Sequence, residues 1–123
     1  MARLVKVIDD FYPDPDTLTA IPALYSTEQT PSDDLMVHLH YTIPASPTYP
    51  RGSDWYVTEL DPHDGNAFGW AELVPGDGEW GYFHLPELET TQVGNVMVQR
   101  DTAFQPTHAS EVFPLLRALA ARG

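Results

Sequence analysis

Hydrophobic and polar residues alternate along the segment from Leu35 to Ile43. One side of an extended chain here would carry Leu35, Val37, Leu39, Tyr41 and Ile43. The other side would carry Met36, His38, His40 and Thr42. Because successive side chains of a strand point to opposite faces, this pattern predicts a half-buried β-strand.

Three more strands are expected further along, joined by two turns of five residues each. They are predicted at Asp54–Asp61, Ala67–Leu73 and Glu79–Leu85. The turns contain Asp64-Gly65 and Pro75-Gly76-Asp77-Gly78, which include residues that tolerate the positive φ of tight turns. The loop of residues 44–53 is too rich in proline to pair. A fifth strand is predicted at Asn95–Arg100.

Short helices are expected on either side of these strands. Asp14 can act as the N-cap of a helix with Pro15 at its first position. This helix should end by Ala20, because Pro22 disfavours helical geometry at the residue before it. Residues 86–89 are predicted to form one or two helical turns.

The end of the chain shows the spacing of an amphipathic helix, with Ser110 as a plausible cap. Its apolar positions are Val112, Leu115, Leu116 and Leu119. Arg3–Ile8 is expected to form a short strand. The sequence therefore predicts a single α+β domain over residues 1–123. Its centre is an antiparallel β-meander of four to five strands, with short helices and a C-terminal helix packed on one face.

Symmetric pairing about each turn predicts which side chains share a face of the sheet, and across the second turn it sets Tyr82 opposite Trp70. The expected core face carries Tyr56, Leu60, Phe68, Trp70, Trp80, Tyr82 and His84. The opposite face carries Glu59 and Asp61 above glycines and alanines. If the pairing extends across the loop of residues 44–53, Ile43 lies opposite Asp54. His38 then lies opposite Glu59, which places the apolar side of the first strand on the core face.

Four polar residues are therefore expected to converge on one side of the sheet. They are His38, His40, Glu59 and Asp61. His38, His40 and Glu59 could bind a divalent metal with open positions, or a histidine and Glu59 could act as a general base and its orienting partner. They could also form a binding site without catalysis, or simply cover the solvated side of an antiparallel sheet. Arg100 is a further candidate, as a guanidinium that could bind an anion.

Composition narrows the function classes. The chain has no cysteine, which excludes a thiolate zinc site and a cysteine nucleophile, and 18 acidic residues against 6 basic ones give a net charge of −12. The bases are scattered rather than clustered, so direct nucleic-acid binding is not expected. The acidic surface could dock a basic partner, imitate DNA, or only maintain solubility. No apolar run is long enough to span a membrane, and we expect a cytoplasmic protein.

Six short stretches, in this order, resemble a known family. They are I-P-A-L-Y-S-T-E (21–28), L-H-Y (39–41), S-D-W-Y-V-T-E-L-D (53–61), A-F-G (67–69), W-G-Y-F-H-L-P-E-L-E (80–89) and Q-R-D (99–101). As a set they are similar to the domain of unknown function 2958 family over about residues 21–106. The chain departs from that pattern at His84, where a small capping residue is expected before the L-x-E-L helix.

The resemblance implies a setting and no catalytic residues. Members of the family occur in bacteria, plasmids and phages, often among the accessory genes of mobile elements. We therefore expect a non-catalytic interaction or ligand-binding protein of a mobile element or its bacterial host, with a protein partner. The alternatives are a metal-dependent enzyme that uses the His and carboxylate face, and an acidic DNA mimic that occupies a DNA-binding protein.

Overall fold

The computed structural model of the chain describes residues 10–74 and 77–112. The strand predicted at Arg3–Ile8 lies outside these residues, and so do Leu115, Leu116 and Leu119 of the predicted C-terminal helix. The start of that helix is described, since residues 109–112 are helical.

The described elements are short, and most lie close to where the sequence predicts them. The helical elements are α1 (Pro15–Ala20), a 3₁₀ turn (Ser32–Asp34) and α2 (Leu85–Glu89). The longer strands are β2 (Leu39–Ile43), β3 (Ser53–Leu60), β4 (Asn66–Glu72) and β5 (Glu79–His84). The two-residue strands are β1 (Met36–Val37), β6 (Gln92–Val93), β7 (Val96–Met97), β8 (Gln99–Arg100) and β9 (Thr107–His108).

Helix α1 begins and ends as predicted. Pro15 occupies its first turn, and the chain leaves the helix at Ile21, whose extended geometry (ψ 132°) suits the residue before a proline. The predicted cap by Asp14 differs in detail. Its carboxylate makes no bond to a helix N–H and accepts the hydroxyl of Thr17 at 2.6 Å instead.

The centre of the fold is an antiparallel sheet with the order β5-β4-β3-β2-β8. Two further pairs, β1 with β9 and β6 with β7, form separate two-stranded sheets. The predicted α+β meander of four to five strands with short helices is therefore confirmed. The strand predicted at Asn95–Arg100 is divided, and only its second part, β8, joins the main sheet.

The first predicted strand is interrupted at His38. The alternation of buried and half-buried residues from Leu35 to Ile43 is confirmed. Its two ends nevertheless pack on different sides of the sheet. Leu35 and Val37 belong to one buried cluster, whereas Leu39, Tyr41 and Ile43 belong to another. The chain therefore turns over at His38, and the prediction that all five apolar residues share one face is wrong.

The register between β2 and β3 also differs from the prediction by one residue. Ile43 pairs with Ser53 rather than Asp54, and His40 pairs with Tyr56. A shift of one residue moves every side chain to the other face. The predicted juxtaposition of His38 with Glu59 is therefore incorrect, and His40 lies on the side of the sheet that carries the aromatic rings.

A β-bulge at Thr58 changes the faces a second time. The pairing of β3 with β4 shifts between Val57 and Glu59, so Glu59 pairs with Phe68 and Leu60 with Ala67. The extra residue inverts the side chains that follow it. Glu59 therefore lies with the aromatic rings, where Leu60 had been predicted.

The main core lies on the face opposite to the one predicted. Its sheet residues include Leu39, Tyr41, Ile43, Trp55, Val57 and Ala67. It is covered by Phe11 and Ile21 before the sheet and by Leu85 and Leu88 of α2. A second cluster on the aromatic side joins Leu35, Val37, Tyr56 and Ala109, with Val112 packed against it. The start of the C-terminal helix thus packs on the aromatic side.

Candidate functional site

We call the side of the sheet opposite the main core the aromatic face. It comprises His40, Tyr56, Glu59, Phe68, Trp70, Trp80 and Tyr82. The strand register arranges these residues in two rows. One row runs from His40 through Tyr56 and Trp70 to Trp80, and the other runs from Glu59 through Phe68 to Tyr82. The sequence predicted the shared face of Phe68, Trp70, Trp80 and Tyr82 correctly but took it for the main core.

His40 is held between two carboxylates. Its Nε2 lies 2.7 Å from Oδ1 of Asp54, and its Nδ1 lies 2.9 Å from Oδ2 of Asp101. The imidazole stacks on the ring of Tyr56, with 4.5 Å between centroids and 6° between planes. The cluster connects β2, β3 and the loop after β8, and 15% of the His40 side chain is exposed.

This arrangement favours the imidazolium. A neutral imidazole carries one N–H and cannot donate to two carboxylates at once. Burial is the largest influence and acts to lower the pKa of His40, but the hydrogen bonds and charges of Asp54 and Asp101 together raise it above the ordinary value. The His40 hydrogen bond in turn lowers the pKa of Asp101, against the opposing effect of burial. Both ring nitrogens of His40 are thus engaged by carboxylates, which favours its charged form and makes it poorly suited to act as a general base.

The surroundings of His40 are strongly acidic. Asp54 pairs directly with Glu72 across β3 and β4. Burial raises the pKa of the Tyr56 hydroxyl, and the carboxylates of Asp54, Glu72 and Asp101 add to that effect. The positive charge of His40 therefore offsets a local excess of negative charge, which is a stabilising role.

Glu59 is buried, with 3% of its surface exposed, and it organises a turn. Its two carboxylate oxygens accept the N–H of Tyr25 at 2.8 Å and the N–H of Thr27 at 3.0 Å, and the Thr27 hydroxyl also donates to it. Tyr25 has φ +70°, a left-handed conformation that is costly for a residue other than glycine. The carboxylate of Glu59 therefore holds the strained turn of residues 24–29 against β3.

The other predicted site residues lie apart. His38 sits at the turnover between β1 and β2, where its N–H donates to Val57 O and burial lowers the pKa of its side chain. Asp61 follows β3 and accepts the N–H of His63 at 2.9 Å. Arg100, on β8, donates from Nε to Asp10 O at 2.7 Å, in a groove of about 470 Å³.

The predicted metal ligands His38, His40 and Glu59 are not arranged as a set. Both ring nitrogens of His40 and both oxygens of Glu59 have protein partners. In the part of the chain that the structure describes, no group of three or more His, Asp or Glu side chains is placed to hold a metal ion.

The aromatic face opens into a groove, which we call the aromatic groove. It has a volume of about 420 Å³ and is lined by the rings of Phe68, Trp80 and Tyr82, by Leu35 and Glu59, and by polar residues of the segment 27–32. Phe68 lies 4.9 Å from Tyr82 and 5.8 Å from Trp80, between ring centroids. Tyr82, which is 59% exposed, also contacts Tyr25 at 6.0 Å. The groove thus presents the exposed ring of Tyr82 beside the half-buried rings of Phe68 and Trp80.

The strand beside the groove, β5, forms one edge of the sheet. Within the described ranges, β5 pairs with β4 alone. The N–H of Leu85 donates to Gly65 O at 2.9 Å, which makes residues 65 and 85 a hydrogen-bonded pair in the β4–β5 register. Hydrogen-bonded and non-hydrogen-bonded pairs alternate in an antiparallel ladder. The backbone N–H and C=O of Tyr82 and the N–H of His84 therefore point outward, away from β4, whereas the C=O of His84 belongs to the first turn of α2.

The comparison with protein families decides where the chain belongs. A family profile described as "Protein of unknown function (DUF2958)" matches residues 27–118. The chain belongs to this family. No curated protein and no solved structure matches it. The DUF2958 match contains the His40 cluster, Glu59 and the rings of the aromatic groove, and it begins after Tyr25.

Sequence reasoning missed Asp54 and Asp101 as partners of His40. The stretches that carry the resemblance held the signal, because L-H-Y, S-D-W-Y-V-T-E-L-D and Q-R-D each contribute one member of the cluster. In the same way I-P-A-L-Y-S-T-E supplies Tyr25 and Thr27, which bind Glu59. His84 occupies the N-cap of α2, makes no side-chain cap bond and contacts Asp64 O at 3.0 Å instead. Among the described residues no helix has the length and apolarity to cross a bilayer.

Proposed function

We propose that this DUF2958 protein is a non-catalytic binding protein that accepts an extended, basic segment of a partner protein. The segment adds to the outer edge of β5 and lies along the aromatic groove. In this proposal the protein acts in the bacterial cytoplasm, as an accessory protein of a mobile element or its host.

The observation that carries the proposal is the combination of an outward-facing strand edge with exposed rings beside it. The edge of a sheet is a template for another strand, because its outward N–H and C=O groups can continue the ladder. Tyr82 and Tyr25 are each 59% exposed and are in contact with each other. An exposed aromatic patch of this kind is typical of an interaction surface.

Charge indicates the chemistry of the partner. Exposed acids lie on the groove and at the start of β5, at Glu28, Asp77 and Glu79. Of the six basic residues, Arg51 and Arg100 fall within the described part of the chain, and neither lines the groove. A segment rich in Lys and Arg would therefore be attracted to this side, whereas a second copy of this chain, with a charge of −12, would be repelled.

The geometry lends less support to the two alternatives. A metal-dependent enzyme would need donor atoms that are available, and those of His40 and Glu59 are engaged within the protein. An acidic DNA mimic would use the net charge but assigns no role to the strand edge or to the exposed rings. Strand addition uses all three features.

Peptide selection with a residue-level readout tests the proposal. The full-length protein is used to select from a displayed library of random peptides of about ten residues, the length of a long strand. Enriched peptides are then bound to the protein, and amide hydrogen exchange is followed by NMR. We expect basic peptides to be enriched. The amides of Tyr82 and His84 should exchange fast in the free protein and slowly in the complex.

The amide of Phe83 is the internal control, because it points toward β4 and should be protected with or without peptide. Two results would contradict the proposal. One is a selection that enriches no peptide over a control surface. The other is a bound peptide that leaves the exchange of the Tyr82 and His84 amides unchanged.

A further inference from the structure

We propose that the aromatic groove is a subsite for the guanidinium group of an arginine side chain, carried by the segment bound at β5. This inference rests on the proposed function and names the side chain that the groove selects. It follows from the placement of the rings, of two carboxylates and of a row of hydroxyl groups.

The exposed ring of Tyr82 provides a flat surface on which a planar cation can lie, beside the half-buried rings of Phe68 and Trp80. The planes of Phe68 and Trp80 are 10° apart, and the ring of Tyr82 contacts Phe68 at an angle of 56°. The face of an aromatic ring attracts a cation through its quadrupole, and the guanidinium group also stacks on such faces because it is planar. A lysine ammonium gains the first interaction but not the second.

Two carboxylates set the charge of the groove. Glu28 is exposed and lines the groove, and Glu59 lies beneath it with both oxygens bound to the turn of residues 24–29. The charges of Glu28 and Glu59 both act on the Tyr82 hydroxyl. The pKa of the exposed Tyr82 hydroxyl is raised, first by partial desolvation and then by Tyr25, Glu59 and Glu28. A cation bound over the rings would offset this negative charge.

The segment 27–32 adds hydrogen-bond acceptors. Thr27, Thr30 and Ser32 line the groove along with Glu28. A guanidinium carries five N–H donors in a fixed fork, so it can stack on the rings and still reach both the Glu28 carboxylate and nearby hydroxyls. The buried, apolar Leu35 also lines the groove, and it suits the methylene stem of the same side chain.

The position of the groove relative to β5 fits this role. Tyr82 lies on the aromatic face, and its backbone N–H and C=O point outward. A strand added there would send alternate side chains to the aromatic face. One of them would enter the groove, and we expect that position of the bound segment to be arginine.

The probes are small molecules that isolate the side chain from the peptide. Nα-acetyl-arginine amide is titrated into the full-length protein and followed by NMR. Nα-acetyl-citrulline amide, which has nearly the same shape but no charge, and Nα-acetyl-lysine amide serve as comparisons. We expect saturable shifts of the Tyr82 and Trp80 rings with arginine, weaker binding of lysine and no saturable shift with citrulline. Lysine binding as tight as arginine would overturn the choice of guanidinium.

Two variants locate the site. Tyr82→Leu should weaken arginine binding about two- to fivefold, the fold-change that corresponds to an exposed cation–π contact. Glu28→Gln should weaken it about two- to fivefold, as expected for an exposed charge pair. Glu87→Gln removes an exposed carboxylate of α2 outside the groove and should leave binding unchanged. Equal binding of citrulline, or equal weakening by Glu87→Gln and Glu28→Gln, would overturn the inference.

The inference and the proposed function fail in different ways. Peptides that protect the Tyr82 amide without any preference for arginine would overturn the subsite and leave strand addition standing. Saturable arginine binding at Tyr82 without any peptide that adds to β5 would support the subsite and overturn the proposed function.

Discussion

The His40 cluster makes the sharpest prediction about stability. His40→Phe keeps an aromatic ring over Tyr56 but removes the positive charge and both hydrogen bonds to Asp54 and Asp101. It leaves two carboxylates, with Glu72 nearby, without their cation. We therefore expect a loss of stability that comes from charge and hydrogen bonding rather than from packing.

The size of the loss follows from the geometry. A hydrogen bond to a charged group contributes about 1.5–3 kcal/mol to stability. The Asp54 and Asp101 side chains are 28% and 34% exposed, so solvent screens both interactions and each belongs at the low end of that range. Together they should amount to about 2–4 kcal/mol. The stacking on Tyr56, which contributes about 0.5–1.5 kcal/mol, is retained by the phenyl ring.

The pH dependence has a definite sign. Because the folded state raises the pKa of His40, its contribution is complete below the ordinary histidine value of 6.5 and is lost as pH rises through the folded pKa. Because the folded state lowers the pKa of Asp101, its contribution is complete above the ordinary aspartate value of 3.8 and is lost as pH falls through the folded pKa. The wild-type advantage should therefore be greatest between these two values.

Urea unfolding followed by tryptophan fluorescence, from about pH 5 to about pH 9, measures the difference between the wild type and His40→Phe. A double-mutant cycle with Asp101→Asn isolates the coupling of the two side chains. The difference in free energy of unfolding between the wild type and His40→Phe, here called the gap, should narrow as pH rises. A gap below about 0.5 kcal/mol at pH 5, or one that widens with pH, would refute the assignment of His40 as a bound cation.

Three further outcomes follow from the structure, each measured by urea unfolding. Glu59→Gln places an amide NH₂ against a backbone N–H that donates to the carboxylate in the wild type, and it should lower the free energy of unfolding by about 1–3 kcal/mol. Glu28→Gln, on the exposed rim of the groove, should change it by no more than about 0.5 kcal/mol. Equal effects of the two variants would contradict the buried role of Glu59. Gly69→Ala should cost about 3 kcal/mol, because its Cβ would lie 1.7 Å from Tyr56 O. Gly81→Ala, directly across the ladder, should be neutral or stabilise by up to about 1 kcal/mol, because its Cβ would meet no atom within 4 Å. A larger loss there than at Gly69 would contradict the close approach of Gly69 to β3 and the open space at Gly81.

The hairpin of β4 and β5 shows where sequence reasoning succeeds. Across the turn between β4 and β5, symmetric pairing set Tyr82 against Trp70, whereas the structure pairs Tyr82 with Phe68. The predicted register is therefore displaced by two residues. Because side chains alternate with a period of two, such a displacement keeps every side chain on its face. The shared face of the four rings on β4 and β5 was therefore predicted correctly even though the partners were not.

Across the longer loop between β2 and β3 the predicted register is displaced by an odd number of residues, so the predicted faces are wrong. Ser46 and Tyr49 bond to each other within the loop and form an isolated bridge, so the loop closes by its own contacts rather than symmetrically. The observed register differs from the predicted one by one residue, so His40 lies on the opposite face from the one predicted. The bulge at Thr58 places Glu59, too, on the opposite face from the one predicted. Neither the one-residue difference in register nor the bulge can be recognised from the alternation of hydrophobic residues.

The amino-acid pattern alone determined the four longer strands, the helices α1 and α2 and the antiparallel order of the meander, because alternation, prolines and turn residues act over a few neighbouring positions. The tertiary structure decided which side of the sheet became the main core. That choice depends on what covers the sheet, and Phe11, Ile21 and α2 cover the side that carries Tyr41, Trp55 and Ala67. The meeting of His40 with Asp54 and Asp101 also required the fold, since these residues come from three separate elements and only strand pairing brings them within hydrogen-bonding distance.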